Sequence, residues 1–479
     1  MAALDFPVSP TPGTVYDKYT WDGEKWGITP TAAGGGITQA DADLRYVDVA
    51  GDTMTGHLTL PTTPAAANAV RKDYVDTAVA GTVSQSYVDT QDALRLLKTA
   101  NLSDVANVVT SRQNIYAAPF DAMAYSGMQI NGGMEINQEL GVGNTSSSSG
   151  SVICDNWTYL KTGTMVVSSG MALSAPLAPG LPAVLYSAVS TAQPSLGASD
   201  YSILHHRIEG YRVARLAWGT ANALPITIGF WTAHHRTGVY SITASNGAGN
   251  RSYCAAYTQA VADVSQYNIV TIPGCTDGTW LTTNGIGIVL AFPMASGAAL
   301  TAPTANTWLS TGYQAAPGQV NAVAATSDVF RISGLIVLPG IEAPSAARSP
   351  LIMRPYDQEL VTCQRYLQKI GFNPEGAVSD GITGAQHIGN VVSSTAITVL
   401  KQFFRPMRSN PAVTFYRGAN GVTNGRWSFY NGAAWVEATS MAINTIDNNQ
   451  VGINMTFAGG LATGNAFTTQ GGALFDARL

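Results

Sequence analysis

Two adjacent pairs of histidines, His205 with His206 and His234 with His235, are the first residues whose type and spacing could do chemistry. Neighbours on a β-strand point to opposite faces, so each pair would place one imidazole on each side of a sheet. A zinc site needs further ligands, and no Cys or carboxylate lies at ligand spacing beside either pair. We therefore predict ordinary strand or loop positions, with no metal and no cofactor; a metal held between the two pairs is the alternative.

Carboxylates could also do chemistry, because a glycosidase needs two of them about 5–10 Å apart. Acids are scarce, with 30 Asp and Glu in 479 residues. Asp357 and Glu359 would share one face of an extended chain, but they lie where a helix begins, and an acid is common there. The chain contains no P-loop, G-x-S-x-G, H-E-x-x-H or EF-hand pattern. We predict that the protein is not an enzyme.

Aromatic, Arg and Asn residues cluster near predicted turns close to the C-terminus, a composition that favours sugar binding. A ring packs against the apolar face of a pyranose, while amide and guanidinium groups bind its hydroxyls. The candidate glycan-binding residues are Tyr416, Arg417, Asn420, Asn424, Arg426, Trp427, Tyr430 and Trp435. The alternation of Trp427, Phe429 and Trp435 also fits a buried strand, whereas the turn residues are expected to be exposed.

The elements that would position these residues are mostly strands. Both alternating and wholly apolar runs occur in residues 151–345, which predicts one β-sandwich. Its runs are 164–168, 211–218, 226–232, 238–245, 267–272, 286–292 and 329–338. A helix at 359–367 is predicted to join it to a smaller distal β domain, residues 350–479. The distal runs are 397–404, 412–416, 426–430, 434–438 and 450–458.

The first 150 residues differ in character. Residues 20–26 carry an Asp-Gly turn between aromatics, typical of a β-hairpin. The apolar residues Val83, Tyr87, Leu94 and Leu97, with Thr90 filling the gap between the middle two, are spaced by alternate steps of four and three, as in a coiled coil. Residues 37–118 hold too few large apolar residues for a core, which favours a slender helical stalk; an amphipathic helix against a core is the alternative. Residues 119–150, rich in Gly, Ser and Asn, are predicted as a linker.

Composition excludes several classes of protein. Asp, Glu, Lys and Arg make up 11% of the chain, against about 25% in ordinary soluble domains. The net charge of -5 and the lack of a basic cluster argue against nucleic-acid binding. The most apolar run, 285–300, contains Pro293 and alternates, as a buried strand does rather than a membrane span. No signal peptide is expected. Four Cys are too few for a disulfide framework, although Cys254 and Cys275 could pair on neighbouring strands.

Several phrases of the sequence resemble those of tailed-bacteriophage tail fibres. The segment that contains Trp21 and Trp26 resembles regions that attach such proteins to the virion, and residues 207–222 resemble a carbohydrate-binding-module-like jelly roll of these fibres. Arg478 departs from the family, which tends to have an acid there. The fibre repeat occurs essentially once, which implies a short fibre. Further similar phrases lie at 46–60, 69–76, 101–107, 111–115, 354–366, 404–413 and 475–479.

The resemblance implies a mainly β, fibrous homotrimer that acts as a structural virion protein and is made in the host cytoplasm. It would bind other tail or baseplate proteins, through residues such as Trp21 and Trp26, and a host surface polysaccharide, with no nucleic acid and no membrane insertion. Its parts would be an attachment segment (1–36), a coiled-coil stalk (37–118), a linker (119–150), a jelly roll (151–345) and a host-binding tip (350–479). The alternatives are a non-receptor decoration fibre of the collar, head or baseplate, and a polysaccharide depolymerase.

Overall fold

A computed structural model describes residues 6–28, 126–173, 175–372, 386–417 and 425–479. The chain divides into two compact units, Met1–Ser111 and Arg112–Leu479. The structure is mainly β, with 45% strand and 7% helix, which confirms that part of the predicted fold class. The predicted stalk, residues 37–118, lies outside the described residues.

The described part of the first unit is a small antiparallel sheet of strands β1 Val15–Tyr16, β2 Tyr19–Trp21 and β3 Trp26–Ile28. Asp22 Oδ1 accepts hydrogen bonds from the backbone N of Glu24 (2.9 Å) and Lys25 (2.8 Å), which closes the turn. These bonds hold the pKa of Asp22 below its ordinary value. Trp21 and Trp26 pair across the strands with ring centroids 5.6 Å apart. The predicted hairpin is confirmed.

Two antiparallel sheets make up most of the described residues between 126 and 345. Their strand orders are β13-β10-β16-β8-β7-β4 and β15-β12-β11-β14-β9-β6-β5. In chain order the elements are β4 Gly143–Ser147, β5 Ser151–Cys154, β6 Trp157–Thr162, β7 Val166–Ala172, β8 Val184–Thr191, β9 Tyr201–Glu209, the helix α1 Gly210–Val213, a 3-10 turn Ala214–Leu216, β10 Ile226–Thr232, β11 Gly238–Ser245, β12 Ser252–Gln259, β13 Gln266–Ile272, β14 Ile286–Ser296, a 3-10 turn Ala298–Leu300, β15 Trp308–Leu309 and β16 Val329–Pro339.

The two sheets pack face to face around one hydrophobic core to which both contribute. Phe230 of β10 lies edge-on to Tyr257 of β12 (5.0 Å) and Phe292 of β14 (5.4 Å), so aromatic rings bridge the sheets. Alternate residues of each strand face this core, in agreement with the predicted sandwich. The predicted runs other than 211–218 overlap strands.

The prediction of a strand at 211–218 was wrong, because the chain turns into helical geometry after Glu209. Val213 and Leu216, three residues apart, are both buried, while Tyr211 is 61% exposed. A spacing of three places side chains on one face of a helix. Arg212 also donates from Nε to the carbonyl of Met128 (2.9 Å), which ties the turn to the sandwich.

The prediction of a linker at 119–150 was wrong for residues 126–150. β4 is an edge strand paired with β7, and Ile130, Met134 and Ile136 are buried. Asn131 organises this segment, because its Oδ1 accepts from the backbone N of Glu135 (3.0 Å) and Ile136 (3.1 Å). The sandwich therefore includes residues that composition assigned to a linker.

Beyond the sandwich, a 3-10 turn Ala346–Ile352 and the helix α2 Tyr356–Cys363 lead into the distal sheet. The helix predicted at 359–367 begins and ends earlier than predicted. It begins at Tyr356, directly after Pro355, and Leu367 already belongs to a strand that pairs with Asp476. Among the described ranges, no helix is long and apolar enough to cross a bilayer.

The distal sheet has the order β22-β21-β25-β18-β19-β24-β23, with β17 and β20 also paired to β25. Trp427 and Phe475 lie in its core. Each predicted distal run overlaps a strand. In chain order the strands are β17 Leu367–Ile370, β18 Gln386–Ser393, β19 Ala396–Gln402, β20 Ala412–Arg417, β21 Ser428–Tyr430, β22 Trp435–Glu437, β23 Ser440–Ile446, β24 Gln450–Thr456 and β25 Ala466–Asp476.

Cys254 and Cys275 do not pair; all four cysteines are free and buried. Cys254 packs against Ala302 and Ala316 in a satellite cluster, whereas Cys275 belongs to the core between the sheets. Thr243 Oγ1 donates to Cys254 Sγ (3.4 Å). Burial raises the pKa of Cys254 to about 11, so this thiol is unreactive at neutral pH.

Candidate functional site

Tyr430 and Trp435 form an exposed aromatic pair on the hairpin β21–β22. They are directly opposite each other, 41% and 39% exposed, with ring centroids 5.5 Å apart. Hydrogen bonds close the turn between them, because Asn431 Oδ1 accepts from the backbone N of Ala433 (2.9 Å) and Ala434 (2.8 Å). Paired rings that reach water can pack against a pyranose.

Trp427 is fully buried and cannot touch a ligand directly, which corrects its prediction as a glycan-binding residue. Its Nε1 donates to the carbonyl of Gly472 (2.9 Å). Its ring lies over Gly471, where an added Cβ would come within 2.1 Å of it. On the other side it stacks on His387, with centroids 5.0 Å apart. Trp427 therefore packs within the core, where it contacts Gly471 and His387.

The remaining predicted glycan-binding residues are dispersed. Tyr416 is half-buried and lies edge-on to Phe372 (5.2 Å), and burial raises its pKa. Arg426 is exposed, with Nη1 4.0 Å from Glu437 Oε1. Arg417 ends β20, and its side chain, like Asn420 and Asn424, lies outside the described residues.

The structure also shows a cleft of about 490 Å³ between α2, β17 and the distal sheet, which sequence reasoning missed. Two of the three lysines in residues 112–479 lie in it. No acid occurs among the described residues that line it. We call it the basic pocket and define it by Gln138, Leu360, Val361, Gln364, Lys369, Ile370, Gly371, Phe372, His387, Lys401, Phe404 and Arg405.

His387 is neutral at pH 7, because burial, helped by the charge of Lys401, lowers its pKa to about 4. Its Nε2 donates to the carbonyl of Gly471 (3.1 Å). A neutral imidazole protonated at Nε2 has Nδ1 as its acceptor. The stacked Trp427 holds this ring in place, which connects a predicted site residue with the pocket.

A second cleft of about 440 Å³ contains Glu135, with Met171, Pro182 and Tyr356 among the other lining residues. Burial, and secondly the charge of Glu359, raise the pKa of Glu135 to about 7. Glu359 itself is buried, accepts from Asn131 N (2.8 Å) and pairs with Arg354 (3.0 Å). The two acids therefore have different environments, and only Glu135 belongs to the cleft wall.

His205 and His206 lie on β9, whereas His234 and His235 lie in the loop that follows β10, so both pairs occupy strand or loop positions as predicted. The expected placement of one imidazole on each face of a sheet applies to the first pair alone. His206 is in the core, where its Nε2 accepts from Ile130 N (3.4 Å). His234 is also buried, with Nε2 2.9 Å from the Tyr257 hydroxyl, and its Nδ1 accepts from Arg331 N (3.2 Å). No group of three or more potential metal ligands occurs among the residues that the structure describes.

A buried ion pair joins the sandwich to the distal part. Glu209 at the end of β9 accepts from Arg365 Nε (2.8 Å) and Nη2 (2.6 Å), and from the Tyr366 hydroxyl (2.7 Å). Arg478 makes a second connection, with Nη1 2.6 Å from Glu139 and Nη2 2.6 Å from Asp476. Arg478 thus holds residues 476–478 against the segment that contains Glu139.

No protein-family model matches the chain, and no curated protein matches it. Solved structures match parts of it. The enzymatically active domain of tailspike protein 4 of bacteriophage CBA120 is 13% identical, with a TM-score of 0.23, over 38% of this chain and 19% of that one. The chain thus spans about a fifth of that domain.

Two carbohydrate-binding modules are also similar to part of the chain. A family 11 module of Clostridium thermocellum, solved with a β-1,3-1,4-mixed-linked tetrasaccharide, is 11% identical, with a TM-score of 0.21, over 42% of this chain and 99% of the module. TmCBM61, solved with β-1,4-galactotriose, is 10% identical, with a TM-score of 0.21, over 38% of this chain and 88% of the module. At such TM-scores the likeness carries no functional argument.

Proposed function

We propose that the protein is a structural virion protein, a short phage tail fibre whose distal β domain binds a glycan of the host surface. The observation that carries the proposal is the Tyr430–Trp435 pair, two exposed rings on a turn fixed by Asn431. A hairpin whose turn is already closed by hydrogen bonds and whose rings already contact each other loses less conformational entropy when a sugar packs against it. The sequence resemblance to tail fibres supports the virion part of the proposal.

The tryptophans of the sandwich pack against one another rather than pairing at the surface, which favours the distal domain as the binding region. Trp218, Trp280 and Trp308 pack edge to face, with centroids 4.7–5.5 Å apart. Each indole N–H donates to a backbone carbonyl, at 2.6, 3.0 and 2.9 Å respectively. Trp218 and Trp280 are buried and Trp308 is half-buried, so these packed indoles stabilise the core and offer a ligand less ring surface than an exposed pair does.

The homotrimer is part of the proposal, and the outer face of the distal sheet supports it. Ile388 of β18 is 75% exposed and Leu400 of β19 is 59% exposed. Both lie on the face of the Asn390–Thr398 pair, opposite the core-facing residues of the same strands. Apolar side chains grouped on one sheet face are typical of a subunit contact, here with further copies of this chain. The cluster of Trp21 and Trp26 would contact other virion proteins.

We also propose that the protein is not an enzyme. A glycosidase needs a second carboxylate beside the acid. Glu135 has the raised pKa of a general acid, but Glu359, the acid that acts on it, is committed to Arg354 and Asn131. Release of reducing sugar from host capsule or lipopolysaccharide, lost in Glu135→Gln, would revive the depolymerase alternative.

Glycan binding is tested by applying the full-length protein to an array of bacterial surface glycans. Trp435→Ala should weaken binding at least tenfold, because the ring supplies apolar contact with the sugar. Tyr211→Ala is the matched control, since it removes an exposed aromatic of the sandwich. Equal binding by Trp435→Ala and the wild type would contradict the assignment, and no binding at all by the folded protein would favour a decoration fibre.

A further inference from the structure

The basic pocket combines charge and apolar surface in a way that indicates one class of ligand. Its volume of about 490 Å³ lies within the range of roughly 300–1,000 Å³ that holds small ligands. The described lining residues include two lysines, an arginine and a neutral histidine. This concentration of positive charge is unusual in a chain that has only seven lysines and a net charge of -5.

Lys401 is the informative cation. It is half-buried on β19, and burial lowers its pKa, so its ammonium is less well solvated than in water. Within the described ranges it forms no ion pair, and its positive charge contributes to the lowered pKa of His387. A half-buried cation without a carboxylate is stabilised when an anion binds beside it.

Arg405 and Gln364 add binding groups that no other described residue uses. The guanidinium of Arg405 is exposed and has no hydrogen bond or ion pair with other described residues; only its backbone carbonyl is used, by Gln368 (2.8 Å). The side-chain amide of Gln364 likewise lacks a partner in the described part of the chain. Lys369, in contrast, donates to the carbonyl of Gln138 (2.8 Å) and contributes its charge from a fixed position.

The walls between these polar groups are apolar. Phe404 is 70% exposed, Val361 is 36% exposed, and Leu360 and Phe372 complete the lining. An inorganic anion would use the cations but not these walls. A sugar ring that carries an anionic group would use both, because its apolar face packs on aliphatic and aromatic carbon while its charge reaches the cations.

We propose that the basic pocket binds a negatively charged sugar residue, with its carboxylate or phosphate at Lys401 and Arg405 and its ring against Phe404 and Leu360. Gln364 and the neutral His387 would bind hydroxyls. This inference rests on the proposed function, since it names the chemical class of the glycan that the distal domain recognises. It adds a second contact to the exposed Tyr430–Trp435 pair.

The test uses the full-length protein on an array of neutral, uronic-acid-containing and phosphorylated glycans, in 50 mM and 500 mM salt. Lys401→Gln should lose about tenfold in affinity for charged glycans and less than twofold for neutral ones, because the lost interaction is electrostatic. High salt should weaken the wild type in the same selective way. The uronate and phosphate arms identify which anion the pocket takes.

The matched control is Lys161→Gln, which makes the same change of charge on the sandwich, where Lys161 donates to the carbonyl of Met165. Circular dichroism verifies that both variants fold. If charged glycans bind Lys401→Gln as tightly as the wild type, or only neutral glycans bind, the inference is overturned while the proposed function stands. If no glycan binds the wild type, the proposed function is overturned, and the inference with it.

Discussion

The sandwich and the distal β domain differ in where they place their tryptophans, because those of the sandwich are buried or half-buried whereas the distal domain exposes Trp435 beside its buried Trp427. In the sandwich, Trp157 is fully buried, its Nε1 donates to Asn131 O (3.2 Å), and its ring packs 5.7 Å from Phe292. In the distal domain, Trp435 pairs with Tyr430 in the open, and Phe404 is 70% exposed. Exposing large rings costs hydrophobic stabilisation. The difference teaches that the distal domain keeps the Trp435 ring at its surface although burial would be more stabilising, as the proposed glycan site requires.

The two regions are nevertheless joined tightly. Glu209, Arg365 and Tyr366 form a buried cluster between them, and Arg354 binds Glu359, which accepts from Asn131 of the sandwich. Removal of residues 350–479 would leave Glu209 and the apolar side chains of Ile130 and Ile136 uncovered. Point substitutions therefore separate binding from folding better than truncation does.

The largest effect on stability is expected for loss of the buried Trp157, and the same substitution at Trp435 compares the two regions. Trp157→Ala should lower the free energy of unfolding by about 3–5 kcal/mol, as large core truncations do. Trp435→Ala should lower it by less, by about 1 kcal/mol, because the residue is 39% exposed and its ring is already partly hydrated in the folded state. Chemical denaturation of the two variants measures both values. Equal losses would break the comparison between the regions.

The second largest loss of stability is expected when the cluster of Glu209, Arg365 and Tyr366, which joins the two regions, is disrupted. Arg365→Met leaves the carboxylate of Glu209 buried without its guanidinium, which typically costs about 3 kcal/mol or more. Glu209→Gln with Arg365→Met should cost less than the sum of the single changes, because the pair is coupled. Denaturation of the single and double variants completes the cycle, and strict additivity would show that the pair does not couple the regions.

Acid should destabilise the sandwich through His206. Burial lowers the pKa of His206 from 6.5 to about 3. The unfolded state therefore binds one more proton in this range, and stability falls as the pH decreases below 6.5, by about 1.4 kcal/mol per pH unit. His206→Gln should be less stable at pH 7 but lose less between pH 6 and pH 4. His235→Gln, at an exposed histidine, is the control; equal acid sensitivity of His206→Gln and the wild type would contradict the assignment.

Glu135 should give a smaller effect of the opposite sign. Its folded pKa of about 7 lies above the ordinary value of 4.5, so its contribution is complete at low pH and is lost as the pH rises through 7. Glu135→Gln should therefore raise the free energy of unfolding at pH 8 by about 1 kcal/mol, after allowance for partial solvation of the carboxylate. The melting temperature at pH 8 should rise with it. At pH 4 the variant and the wild type should differ little. A stability gain at pH 4 as large as that at pH 8 would exclude the electrostatic cause.

Local patterns in the sequence were sufficient to predict where most strands lie, but they did not predict that much of the segment 126–150 is buried. Alternation located β10 and β11, and the Asp-Gly turn located the first hairpin. The segment 126–150 looked like a linker because its composition is polar. Its burial depends on partners more than 200 residues away: Asn131 N donates to Glu359, and Gln138 Nε2 donates to Leu367 O.

The candidate site shows the same limit. Trp427 and Trp435 follow similar local patterns, but only Trp427 lies over Gly471, whose missing side chain leaves room for the ring. The basic pocket brings together Gln138, Gln364, His387 and Lys401 from four separate elements or loops. No spacing within the sequence relates these residues, so only the fold could show them as one site.

The most direct test of the account is competition for adsorption. The full-length protein, as wild type, Trp435→Ala or Tyr211→Ala, is mixed with susceptible cells before virions are added. We predict that the wild type and Tyr211→Ala block adsorption, that added surface polysaccharide reverses the block, and that Trp435→Ala blocks poorly. A folded wild type that does not block, or Trp435→Ala that blocks as well as the wild type, would contradict binding of the host glycan by the distal domain.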